Sequence, residues 1–195
     1  MSTGGAIGAG GVLGTGGGNS NVGNASAGSA SNGYVLAVPP NWFDDHLILP
    51  PRFAPSLPLQ GAETTREPPG MYDPESEQFF SYAFLWWLDG APALDTDSLR
   101  SDIGIYYQGL CGAATVTLAE APTNAPLAAR APTATLSGTL ETGSCFNRPT
   151  GVARLEVTTY DCPNHPTVLT RLSSFPETSA ISLELAALRD GFDCY

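Results

Sequence analysis

The hydrophobic pattern is most regular between residues 75 and 195. Residues 79–88 form a run of ten mostly aromatic and apolar side chains, apolar on both faces at a period of two. That pattern predicts a central strand covered on both sides. After Asp95 and Thr96, either of which can cap a helix, apolar positions recur at helical spacing. They predict an amphipathic helix that contains Leu99, Ile103, Tyr106 and Leu110.

Shorter alternating segments follow this helix. They predict strands over 115–118, 133–142, 152–160 and 167–172. The segment from Ile181 to Leu188, followed by Gly191, predicts a final helix, but Ile181, Leu183 and Leu185 also alternate and leave a strand open. Strands and helices are segregated rather than alternating. The pattern therefore predicts an α+β domain with a mostly antiparallel sheet of four to five strands and two helices, in the order β-α-β-β-β-(β)-α.

Two segments of unusual composition precede this part of the chain. Residues 34–74 hold nine of the seventeen prolines, interleaved with large apolar side chains. Because proline cannot donate to a strand ladder, this segment is predicted to be an extended arm without a central strand, with one short edge strand allowed over 34–38. Residues 1–33 hold twelve of the 22 glycines and no charged or aromatic side chain. They are predicted to be a flexible tether.

The charge balance excludes two classes of partner. Nineteen acidic residues face eight basic ones, all arginine, which gives a net charge of -11. Nucleic acids and anionic membrane surfaces attract cationic proteins, so neither is an expected partner. The longest apolar run is half of what a membrane-spanning helix needs. Met1 is not followed by the basic and apolar stretches of a signal peptide, so export would require a leader that has been removed.

Cysteine number and position indicate disulfides. Cys111, Cys145, Cys162 and Cys194 form no Cys-x-x-Cys motif, and four cysteines allow three pairings. If consecutive strands run antiparallel, Cys111 meets Cys145 at one sheet edge. If the final segment is also a helix, Cys162 meets Cys194 at the other edge. Two disulfides predict an exported domain, whether periplasmic, on the cell surface or extracellular. A cytosolic protein with four free thiols is the alternative.

Motifs for catalysis or cofactor binding are weak. Asp44, Asp45 and His46 could bind a metal, but three consecutive polar residues in a proline-rich segment are more often a solvated loop. Cys162 and His165 have zinc-ligand spacing without the usual second pair. The glycine runs lack the lysine of a phosphate loop, and no Gly-x-Ser-x-Gly motif occurs. No catalytic, metal or cofactor site is therefore predicted, and an enzyme is not favoured.

Two functional hypotheses follow. The first is a non-enzymatic exported or surface-tethered domain that binds another protein or self-assembles, with the N-terminal segment as the tether. Its candidate binding residues are Trp42 and Phe43 in the arm and Trp87 and Asp89 at the end of the central strand. The second is a small secreted hydrolase or carbohydrate-binding module. It would use a concave acidic and tryptophan-bearing site around Trp86, Trp87, Asp89 and Asp95.

Overall fold

The computed structural model describes residues 33–122 and 130–195. The tether predicted over 1–33 lies outside these residues, except for Gly33. Nine strands and two helices occur in the described part of the chain. They are β1 (Tyr34–Val35), β2 (Phe43–Leu49), β3 (Gly61–Glu67), β4 (Tyr82–Leu88), α1 (Thr96–Cys111), β5 (Thr115–Glu120), β6 (Ala134–Cys145), β7 (Arg148–Cys162), β8 (His165–Ser173), α2 (Ala180–Asp190) and β9 (Asp193–Cys194).

Seven strands form one antiparallel sheet in the order β2-β3-β4-β8-β7-β6-β5. The short strands β1 and β9 form a separate antiparallel pair. The α+β class, the antiparallel sheet and the two helices are as predicted. The strand β2 is at one edge of the large sheet and β5 is at the other.

The predicted count of four to five strands is wrong, because the large sheet has seven. The two missed strands, β2 and β3, come from the proline-rich segment 34–74. Its prolines lie outside two proline-free windows, 41–49 and 59–67, and each window holds a seven-residue strand. β3 is also central, between β2 and β4, which corrects the prediction that no central strand fits in this segment.

The strand β4 is covered on both faces, as its two-sided apolar pattern predicts. Phe84 and Trp86 point into a core formed with α1, whereas Ala83 and Leu85 point into a second core formed with α2. All four side chains are fully buried. The sheet is therefore the middle layer between the two helices.

Both helices begin at a residue whose side chain caps the backbone. The Asp95 carboxylate accepts hydrogen bonds from two N–H groups in the first turn of α1, and the Ser179 hydroxyl accepts one at the start of α2. In α2, Ile181 and Leu185 are buried while Leu183 is 59% exposed, so the helix is observed rather than the alternative strand. Among the described residues, no helix has the length and hydrophobicity required to span a membrane.

Two disulfides join the ends of these elements. Cys111 at the end of α1 pairs with Cys145 at the end of β6, and Cys162 at the end of β7 pairs with Cys194 in β9. The Cα–Cα distances are 4.4 and 5.8 Å, respectively. These are the pairs that antiparallel strand direction predicts.

Candidate functional site

A groove of about 670 Å³ opens on the α2 face of the large sheet, beside the edge strand β2. Its walls are formed by strands β2, β3 and β4, by the β7–β8 turn, and by residues near both ends of the described chain. We call it the Trp87 groove. It is lined by Gly33, Tyr34, His46, Leu47, Ile48, Ala62, Thr64, Trp87, Pro163, His165 and Tyr195.

Aromatic rings form one side of the Trp87 groove. The indole of Trp87 stacks on the imidazole of His165, with centroids 4.7 Å apart, and contacts the ring of Tyr34 at 4.9 Å. Gly33 passes so close that a Cβ atom there would lie 3.1 Å from the indole. Its φ of +76° also favours glycine. The backbone and two rings therefore hold Trp87 in place.

The orientation of His165 is fixed by backbone contacts. Its Nδ1 lies 3.0 Å from the carbonyl oxygen of Leu88 and 3.6 Å from a carboxylate oxygen of Asp89. Because a carbonyl only accepts hydrogen bonds, Nδ1 carries the proton in this contact. Asp89 thus places a negative charge at the rim of the groove.

On the opposite side of the groove, polar side chains are bonded to one another. His46 Nε2 lies 3.2 Å from a carboxylate oxygen of Asp44, and His46 Nδ1 lies 2.9 Å from the Thr64 hydroxyl. That hydroxyl is also 2.6 Å from the Tyr34 hydroxyl. Both ring nitrogens of His46 are therefore engaged. Because side chains alternate along β2, Asp45 lies on the other face, and the three consecutive polar residues do not converge.

The predicted partner-binding residues have different surroundings. Trp42 is 8% exposed and packs in the α2 core, so it is a core residue rather than part of the surface. Phe43, the next residue, is 60% exposed on β2. Trp87 is partly buried in the groove wall, and the side chain of Asp89 is 64% exposed. The structure thus brings Trp87 and Asp89 together and leaves Phe43 on the adjoining edge.

The predicted acidic and tryptophan-bearing site does not form as a unit. Trp86 is fully buried on the α1 face, whereas Trp87 faces the groove on the other side of the sheet. Asp95 is the cap of α1. Of these four residues only Trp87 lines the groove, and Asp89 lies near it through its contact with His165, because consecutive residues of a strand point to opposite faces. Among residues 33–122 and 130–195, no three histidine, cysteine or carboxylate side chains are grouped to hold a metal ion.

Sequence reasoning missed Glu63, the buried carboxyl group of β3. Its two oxygens accept hydrogen bonds from the Trp86 indole N–H, at 3.0 Å, and from the Tyr106 hydroxyl, at 2.7 Å. Burial raises the pKa of Glu63 to about 7, more than these hydrogen bonds lower it. Glu63 lies on the α1 face, away from the groove. Alternating apolar residues around Glu63 would have predicted a buried strand and therefore a buried carboxyl group, but β3 has no such pattern.

A second depression lies between α2 and strands β6 to β8. Arg171 and Arg189 line it, and both contact the carboxylate of Glu156. Arg189 also bonds to Asp190 at 2.7 Å. The charges of these arginines are thus compensated by neighbouring carboxylates, and the cluster serves as an ion-pair network that links α2 to the sheet.

Comparison with known proteins assigns no family to this chain. No protein-family model matches the chain, and no curated protein matches it in sequence. Among solved structures, the chain is similar to the solution structure of cyanobacterial PsbP (CyanoP) from Synechocystis sp. PCC 6803, with a TM-score of 0.46 and 10% sequence identity. The alignment covers 92% of this chain and 98% of that chain. Similarity at this level carries no functional inference, so the function is argued from the residues of this chain.

Proposed function

We propose that this is an extracytoplasmic, non-enzymatic domain that binds another protein at the edge of its large sheet. One observation carries the proposal. The edge strand β2 exposes Ile48 to 82% on the face where it lines the Trp87 groove, and Phe43 to 60% on the opposite face. Exposed large apolar side chains next to a concave surface are typical of interaction sites.

The two disulfides support the compartment. Disulfides form and persist in oxidising environments and are rare in the cytosol. All four cysteines are paired, which leaves no free thiol in the chain. Both bonds join element ends that antiparallel strand direction brings together, so they fit the fold without rearranging it.

The chemistry of the groove favours binding over catalysis. The hydroxyl of Thr64 is the group nearest His46, but it is 2% exposed and is also bonded to Tyr34. A nucleophile must reach its substrate, and a general base needs a nitrogen available to take the proton. The mutual bonds of these side chains therefore make a fixed polar wall.

Site-specific crosslinking tests the binding surface. A photoreactive amino acid is placed at Phe43 or Ile48 on β2, and at Val152 or Leu183 as matched controls. The control side chains are 57% and 59% exposed on other elements. We expect crosslinked protein adducts from the β2 positions in the native extracytoplasmic fraction, and none from the controls. Equal adducts from all four positions, or none from β2, would reject the proposal.

A carbohydrate ligand is the second candidate, and the geometry of Trp87 favours it. Trp87 is partly exposed in the groove wall, next to His165 and near the Asp89 carboxylate, so apolar indole surface lies beside polar groups. A soluble glycan array, compared between the native chain and Trp87→Ala, tests this function. Specific glycan binding that the substitution abolishes, without adducts at Phe43 and Ile48, would favour the carbohydrate over the protein.

A further inference from the structure

We infer that β2 binds an extended segment of a basic partner by strand addition, so that the segment becomes an eighth strand of the large sheet. This inference rests on the proposed function and specifies the partner. The segment would carry two adjacent basic residues flanked by β-branched apolar ones. Main-chain hydrogen bonds to β2 would hold the segment, and side chains would select it.

The outer edge of β2 is available for main-chain pairing. In the part of the chain that the structure describes, β2 pairs only with β3. The backbone N–H of His46 donates to the Asp45 side chain at 2.8 Å, so this N–H points away from β3. Since backbone N–H groups alternate along a strand, those of Asp44 and Ile48 point outward as well. The N–H groups of Asp44 and Ile48 therefore point to the open edge, whereas the His46 N–H between them is bonded to the Asp45 carboxylate.

The charges at this edge specify the partner. Asp44 and Asp45 occupy adjacent positions, so one carboxylate lies on each face of β2, and Asp89 adds a third near the rim of the groove. Asp44 lies 3.5 Å from the Arg66 guanidinium, which balances part of its charge, whereas no arginine forms an ion pair with Asp45 or Asp89 in the described residues. The described residues that line the groove include no arginine, and the whole chain has no lysine. An added strand with two adjacent basic residues would place one opposite each carboxylate, and opposite charges across a strand pair stabilise it.

The Trp87 groove adds selectivity on one face. Ile48 and His46 point to the same side of β2 as the groove, so every second side chain of the added strand would lie over it. This side of the groove has an apolar surface that is formed by Ile48, Ala62 and Trp87. An apolar side chain four positions from the basic residue opposite Asp44 would cover the exposed Ile48.

A second copy of this chain is the less favourable occupant. Pairing of β2 with β2 would bring together two surfaces that carry the same carboxylates, in a chain of net charge -11. Like charges at an edge strand oppose such pairing. The same charges attract a basic segment. The edge of β2 therefore disfavours pairing with a second copy and favours pairing with a cationic partner.

Peptide binding tests the inference. The probe is a fluorescent nine-residue peptide with two adjacent arginines flanked by valine and threonine, measured by fluorescence anisotropy with the full chain. Two N-methylated versions each block one edge of the peptide backbone and keep its charge. We expect one version to bind at least about tenfold more weakly and the other nearly as well as the parent, because strand addition uses one edge. A version with two glutamates in place of the arginines should not bind.

Substitutions on the protein locate the site. Asp44→Asn together with Asp45→Asn should weaken binding about tenfold, or roughly threefold for each carboxylate. The matched control, Glu120→Gln with Glu141→Gln, removes two exposed carboxylates at the other side of the sheet and should leave binding unchanged. Thermal melting of each variant verifies the fold.

Three results would overturn the inference: equal binding by both N-methylated peptides and the parent, equal weakening by the control pair, or a β2-dependent homodimer in sedimentation velocity. Crosslinking from Phe43 and Ile48 reports separately whether any protein binds at this edge. If adducts form there and the peptide results are negative, the proposed function stands and the basic, strand-adding partner is rejected.

Discussion

Replacing Glu63 by glutamine should stabilise the protein at and above neutral pH. The Glu63 side chain is fully buried, and its pKa is raised by burial from the ordinary value of 4.5 to about 7. Its oxygens accept from Trp86 and Tyr106. Glutamine has the same shape and no charge. Its oxygen can accept from the Trp86 indole N–H, and its amide can donate to the Tyr106 oxygen.

The sign of the pH dependence follows from proton uptake. Between pH 4.5 and 7 the folded chain keeps the Glu63 proton while the unfolded chain loses it. The free energy of unfolding therefore falls as pH rises through this range and levels off above pH 7. The difference between 4.5 and about 7, at about 1.4 kcal/mol for each pH unit, corresponds to roughly 3 to 4 kcal/mol. Glu63→Gln should recover most of that amount at pH 8 and little at pH 4.5.

Urea unfolding followed by circular dichroism measures this effect, with disulfides intact and ionic strength constant, from pH 4.5 to 8. The matched control is Glu141→Gln, because Glu141 is an exposed strand residue and should change the curve little. Burial also raises the pKa of Asp102. The pKa of Glu156 is shifted in the opposite direction. Both groups are common to the native chain and Glu63→Gln, so the difference between the two curves reports Glu63.

Two outcomes would refute the reasoning on Glu63. One is a free energy of unfolding that is flat or rises between pH 4.5 and 7 in the native chain. The other is a Glu63→Gln curve that runs parallel to the native curve over the whole range. Either result would mean that the buried carboxyl group does not hold its proton in the fold.

Further predictions concern the disulfides and the glycines of α1. Changing Cys162 and Cys194 to serine opens a loop with a sequence separation of 32 and should cost about 3–4 kcal/mol in urea unfolding under non-reducing conditions; no loss would show that the bond adds nothing. Gly104→Ala should stabilise by about 1 kcal/mol, because nothing lies within 4 Å of an added Cβ. Gly109→Ala should lower the melting temperature, because its Cβ would lie 2.1 Å from the Phe53 carbonyl oxygen; equal melting temperatures for the two variants would contradict that packing.

The elements that could be predicted are those with a local hydrophobic pattern. The two-sided apolar run of β4 and the helical spacing of α1 each determine one structure, because each buries its own apolar side chains. The antiparallel order of β5, β6 and β7 was enough to predict the Cys111–Cys145 pair, whereas the Cys162–Cys194 pair also required β8 and the helical reading of α2. These inferences depend on neighbouring residues and on strand direction.

The strand β3 could not be predicted in this way. Its sequence, Gly-Ala-Glu-Thr-Thr-Arg-Glu, has no apolar alternation, yet Glu63, Thr64, Thr65 and Arg66 are all buried. Polar side chains can be buried when their hydrogen bonds are satisfied. For β3 the partners come from β1, β4, α1 and the carbonyl groups of residues 36–37, all remote along the chain. Only the assembled fold shows that this segment is a central strand.

The same remote contacts determine how well β2 can serve as a binding edge. The strand β2 joins the large sheet only through β3 in the described residues. β3 is in turn held by Glu63 on the α1 face and by Arg66, which donates to the Leu36 and Ala37 carbonyl groups on the other. An edge supported in this way is already ordered before a partner arrives. The entropy cost of binding then falls mainly on the incoming segment, which favours a partner that is extended beforehand.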